Sequence, residues 1–102
     1  MSEIEVSEFD LSVLSLLKSD LEKKQLNEEM SNYLNALIQA AKTEIRREGI
    51  ELQESGSDEA QTVTMYAAYL YRKRALSDNA MPRMLRYRLN QMIFEQHMKE
   101  DT

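Results

Sequence analysis

"NEEMSNYLNALIQAAKTEIRREG", residues 27–49, decides the fold. Asn27 is a residue type that caps helices, and Glu28 and Glu29 follow where a helix N-terminus favours negative charge. Met30, Leu34, Leu37, Ile38, Ala41 and Ile45 then recur at the three- and four-residue steps of one helical face. Arg46 and Arg47 fall near the negative end, and Gly49 stands where a left-handed residue stops a helix. The pattern predicts a helix over 28–48, about 30 Å long at ~1.5 Å per residue.

The neighbouring segments carry the same period. Over 8–20, with Ser7 as cap, Leu11, Leu14, Leu17 and Leu21 recur at helical spacing with Val13 beside them. A third helix is predicted over 58–76, capped by Ser57, with Asp58 and Glu59 in its first turn. Ala60, Val63, Ala67 and Leu70 mark its apolar face, and Met65, Tyr66 and Tyr69 widen that face to most of the circumference. Such a helix is central, or is covered by a second subunit. A fourth runs over 82–98, opened by Pro82. Leu85, Leu89, Met92 and Ile93 face inward, while Arg83, Arg86, Tyr87 and Asn90 share the other side.

Between the second and third helices, "IELQESGSD" (50–58) alternates Ile50 and Leu52 with Glu51 and Gln53. It reads as a short extended piece inside an exposed, mobile loop, with Glu51, Gln53, Glu54 and Ser55 as its candidate contact residues. The expected architecture is all-α: a small bundle of about four helices in a single domain spanning 1–102, with 1–7 and 97–102 flexible.

The composition excludes several classes of function. There is no Cys, hence no disulfide, no thiol nucleophile and no zinc finger. His97 is the only histidine and has no second His for a metal site. The acidic pairs Glu28–Glu29 and Asp58–Glu59 sit in first helical turns, where the helix dipole explains them. Gly49 and Gly56 stand alone, so there is no phosphate-cradling loop. The expectation is a protein that is no enzyme, with no catalytic or metal-binding residue and no cofactor. No apolar run approaches the ~20 residues that a membrane helix needs, and the opening "MSEIEVSEFD" is acidic where a leader peptide begins basic.

The net charge of −5 hides a partition. Residues 1–60 hold 6 basic and 14 acidic side chains, residues 61–94 hold 6 and 1, and residues 95–102 hold 1 and 3. The basic block is concentrated in "YRKRALSDNAMPRMLRYRL" (71–89). It admits three readings: ion pairs with the acidic first half, an interface between subunits, or a nucleic-acid surface. Met81, Met84, Met92 and Met98 fall in or beside it, and Met suits adaptable contact surfaces.

The ordered pair "YAAYLYRKRA" and "MPRMLRYRLNQMIF" resembles the tailed-phage head–tail connector family, the small head-completion adaptors that dock under the portal. The resemblance covers about residues 8–96, with no fixed pattern over 50–58. It implies a structural protein of the virion, made in the host cytoplasm and assembled as a ring between the portal and the next adaptor or tail protein. Such a ring extends the DNA channel. The implied partners are the portal protein, neighbouring copies of the chain and packaged DNA passing without sequence-specific binding, with no membrane. On this resemblance Arg72, Arg74, Arg83 and Tyr87 are the candidates for the subunit or portal interface. Arg86 and Arg88 are the candidates to face DNA in the channel. The alternative is a small phage-encoded helical protein that binds nucleic acid or regulates.

Overall fold

A computed structural model describes residues 7–22, 27–75 and 80–100. Four helices follow in order: α1 (Glu8–Asp20), α2 (Glu28–Arg47), α3 (Ser57–Ala75) and α4 (Arg83–Glu100). No strand occurs among the described residues, so the fold is the all-α four-helix bundle that the patterning predicts.

The helix ends follow from local chemistry. Ser7 Oγ accepts the Asp10 backbone N–H at 3.1 Å, and Asn27 Oδ1 accepts that of Met30 at 2.7 Å. Each satisfies a donor that a first helical turn leaves open. α2 stops where Gly49 takes φ +94°. α3 begins one residue earlier than expected, so Ser57 lies inside it and the Gly56 carbonyl accepts the Ala60 N–H. The Pro82 carbonyl accepts the Arg86 N–H and opens α4. α4 then continues to Glu100, so residues 97–100, expected to be flexible, are helical. Ser7 likewise serves as a cap. Residues 1–6 and 101–102, also expected to be flexible, lie outside the described residues.

α3 is the central helix, as its wide apolar face predicts, and α1, α2 and α4 all pack on it. Ala60, Ala67 and Ala68 are buried on it, and their small side chains let neighbouring backbones approach closely. Thr62 and Thr64 are buried too, each donating its hydroxyl to the carbonyl four residues back (Asp58 and Ala60). α2 buries Leu34, Leu37, Ile38, Ala41 and Ile45, as expected. α1 is turned from its expected face. Phe9, Val13 and Leu17 are buried and Leu11 is exposed. The rotation brings the aromatic ring of Phe9 into the core and lets Asp10 reach Lys42 of α2. The result is a slab measuring 46 × 38 × 21 Å, about two helix diameters thick.

Candidate functional site

The outer face of α4 is where the described residues present the most unpartnered apolar surface. The inner face is fixed first. Leu85 and Leu89 are fully buried, and Met92 and Ile93 are half-buried against the same core. Burying the two leucines contributes about 2 kcal/mol each. Three polar ties add to this. Arg86 grips Glu48 at the end of α2 through two bonds, Nη1 to Oε1 at 2.9 Å and Nη2 to Oε2 at 2.7 Å. Gln96 accepts the Glu51 N–H at 2.8 Å and donates to the Gly49 carbonyl at 2.8 Å. Arg88 donates its Nε–H to Thr62 Oγ1 at 3.1 Å and lies 3.6 Å from the Asp58 carboxylate.

With that face inward, the opposite one holds Met84, Tyr87, Phe94 and Met98, exposed by 70%, 65%, 64% and 57%. Two apolar faces on one helix cancel in any search for a single stripe, which is why this surface is hard to see in sequence. Sequence reasoning found Tyr87 and noted Met84 and Met98 by composition, but missed Phe94. The signal was present in the spacing: 84, 87, 91, 94 and 98 step by three and four residues along one side. On α1, Leu11 and Leu16 form a smaller exposed apolar patch. Leu16 borders a shallow groove that also includes Glu8, Phe9 and Glu54.

The predicted basic residues divide. Arg72 bonds Asp20 at the end of α1 at 3.1 Å. Arg86 and Arg88, the candidates to face DNA, are engaged with Glu48, Thr62 and Asp58 as described. Arg74 lies 5.8 Å from the centroid of the Tyr33 ring. Arg83 and Tyr87 are exposed at the start of α4, and Arg83 makes no ion pair among the described residues. Three of the six arginines and lysines of the block therefore pair within the chain. Arg83 remains directed outward beside the apolar stripe.

The 50–58 connection is anchored on both sides. Ile50 and Leu52 are buried, so their alternation marks inward-facing positions, and the expectation of an exposed loop is corrected for these two. Glu51, Gln53 and Ser55 are exposed, as expected. Glu59 accepts the backbone N–H groups of Gln53, Glu54 and Ser55 at 3.1, 2.8 and 3.3 Å. Glu54, expected as a contact residue of the loop, turns back to Lys42 Nζ at 2.9 Å and Arg46 Nη2 at 2.8 Å. Lys42 is only 5% exposed and also holds Asp10 at 3.0 Å. Burial alone lowers the Lys42 pKa, but its hydrogen bonds to Glu54 and Asp10 outweigh burial and raise it above the ordinary value. The bonds from Arg46 and Lys42 lower the Glu54 pKa, and the Arg86 clamp lowers that of Glu48.

Among the described residues no group of three His, Cys, Asp or Glu side chains is placed to hold a metal ion. No helix among them is long and apolar enough to cross a membrane. Every buried side-chain polar atom among them has a partner. The geometry therefore offers a contact surface on α4. Comparison of the chain with family models, with curated proteins and with solved structures finds no match.

Proposed function

We propose that this chain is a structural interaction protein without catalytic activity, the adaptor subunit of a tailed-phage head–tail connector. The observation that carries the interaction role is the outer face of α4: four large apolar side chains exposed along one helix, with Arg83 at its rim. Aromatic residues, Met and Arg are the types favoured at protein interfaces. The connector assignment is supported by the ordered motifs "YRKR" and "MPRMLR" and by a fold of the kind those motifs imply.

In this role copies of the chain form a ring between the portal and the next adaptor or tail protein, in the virion, and extend the DNA channel. The contact between neighbours is heterologous and closes. Arg74, Arg83 and Tyr87 of one copy meet the face of the next that carries Leu16 and Glu8. Arg86 and Arg88 hold α4 in place, which leaves them a smaller part in facing DNA.

Light scattering of the protein mixed with its portal tests the proposal. A multi-copy complex on the portal is the expected result. No association with the portal, together with duplex-DNA binding at moderate salt, would replace the adaptor with the nucleic-acid-binding alternative.

A further inference from the structure

The outer stripe of α4 has a symmetry of its own. Met84, Tyr87, Gln91, Phe94 and Met98 are separated by three, four, three and four residues, the spacing that keeps side chains against a neighbouring helix along its length. All five are exposed. From either end the order is the same: Met, aromatic, Gln, aromatic, Met. We propose that this stripe is covered in the free protein by the same stripe of a second copy, α4 against α4, antiparallel about a two-fold axis near Gln91.

An isologous contact joins the same patch of two copies, and a stripe that reads alike in both directions sets Met against Met and Tyr87 against Phe94 along the whole seam. Polar residues on the borders then select the orientation. Arg88 and Glu95 lie on one edge of the stripe and Arg83 on the other, from the ~100° step per residue. Antiparallel pairing brings Arg88 of each copy opposite Glu95 of the other; Arg88 keeps its Nε–H on Thr62 and shares its remaining guanidinium donors, giving two attractive contacts. Parallel pairing sets Arg83 of one copy beside Arg88 of the other, and like charges oppose it. Glu95 makes no ion pair within the chain among the described residues, so it is available for this contact. Gln91, at the centre, carries both donors and an acceptor, so the two central amides can satisfy each other. A polar residue at that place fixes the register of paired helices.

The contact is closed at two copies and modest in size. α4 is 18 residues long, about 27 Å, so one helical seam buries less than the ~800 Å² per partner of a standard stable interface. The pairing is therefore reversible, and α4 becomes available to another protein when that protein competes for it. This inference does not rest on the adaptor assignment, and its test uses the chain alone.

Because the chain has no Cys, single cysteines report the geometry without background. Position 91 lies near the proposed axis. Two copies of position 84 stand about 21 Å apart along the helix axis, from ~1.5 Å per residue. Under mild oxidation Gln91→Cys is expected to give a disulfide-linked dimer and Met84→Cys to remain uncrosslinked. Sedimentation equilibrium of the unmodified chain is expected to move from 11.9 kDa toward twice that mass as concentration rises from about 1 μM to about 1 mM. Phe94→Asp is expected to abolish that shift while circular dichroism keeps its helical signal. Crosslinking at both positions, or at 84 alone, would overturn the antiparallel arrangement. A monomer throughout, or a dimer that fails to crosslink at 91, would overturn the proposal.

Discussion

Arg86 holds Glu48 in a two-pronged grip, with both terminal guanidinium nitrogens on both carboxylate oxygens at 2.9 and 2.7 Å. The pair joins the second turn of α4 to the end of α2, 38 residues earlier. It raises the pKa of Arg86 and lowers that of Glu48. Both side chains are partly open to solvent, so screening limits what the pair is worth. Arg86→Ala is expected to cost about 1–2 kcal/mol in urea unfolding. Arg86→Lys recovers only part of that, because an ammonium lacks the planar fork. A double-mutant cycle with Glu48→Ala should return a coupling of about 1 kcal/mol. A coupling near zero would mean that the grip does not hold α4.

The two faces of α4 should respond oppositely to truncation. Leu89→Ala removes a fully buried side chain and is expected to cost about 2–5 kcal/mol. Met84→Ala and Tyr87→Ala, on the outer face, should stay within about 0.5 kcal/mol at dilute protein concentration. Equal losses at 84 and 89 would show α4 rotated from the orientation described.

Acid should loosen the α2–α3 connection through Glu54 and the tie between α2 and α4 through Glu48. Glu54 and Glu48 have folded-state pKa values below the ordinary 4.5. Their contribution is therefore fully present above that value and is lost as pH falls through the lowered ones. Lys42 has the opposite sign: its pKa is raised from 10.5, so its contribution persists below that value and is lost as pH rises through the raised one. Stability measured by urea against pH should be flat near neutrality and fall at both ends. Glu54→Gln should flatten the acid limb, and an unchanged limb would assign the acid loss to other carboxylates.

Gly49 is held at φ +94° with no atom within 4 Å of where a Cβ would lie. Gly49→Ala therefore costs backbone strain without a clash. About 1 kcal/mol is expected, or a fall in Tm of roughly 4–8 °C for a domain of this size. A neutral result would place the α2 terminus in another backbone conformation.

Much of this bundle is written locally. Ser7, Asn27, Gly49 and Pro82 mark helix ends through chemistry that acts over three or four residues, and each stands at or next to the boundary it predicts. The face of α2 is legible because one stripe dominates it. α1 is less so, since Phe9 and Leu11 compete for the core, and the observed face goes with a bond from Lys42 in another helix to Asp10. The fates of Arg72, Arg86 and Arg88 were illegible for the same reason. Their partners lie 52, 38 and 26 residues away, and no local spacing encodes them. Glu59 was read as an ordinary first-turn acid; its role in gathering three loop amides depends on how the chain returns to meet α3.

α4 packs on α3 and is tied to the α2–α3 connection, whereas α1, α2 and α3 pack mutually. This connectivity predicts two levels of cooperativity. A fluctuation that releases Arg86, Gln96 and the Leu85–Leu89 contact frees α4 and leaves the three-helix core intact. Amide protons of α4 should then exchange with solvent through this partial opening, at a lower free energy than those of α3. The helix that carries the contact surface is also the one whose release disturbs the rest of the fold least.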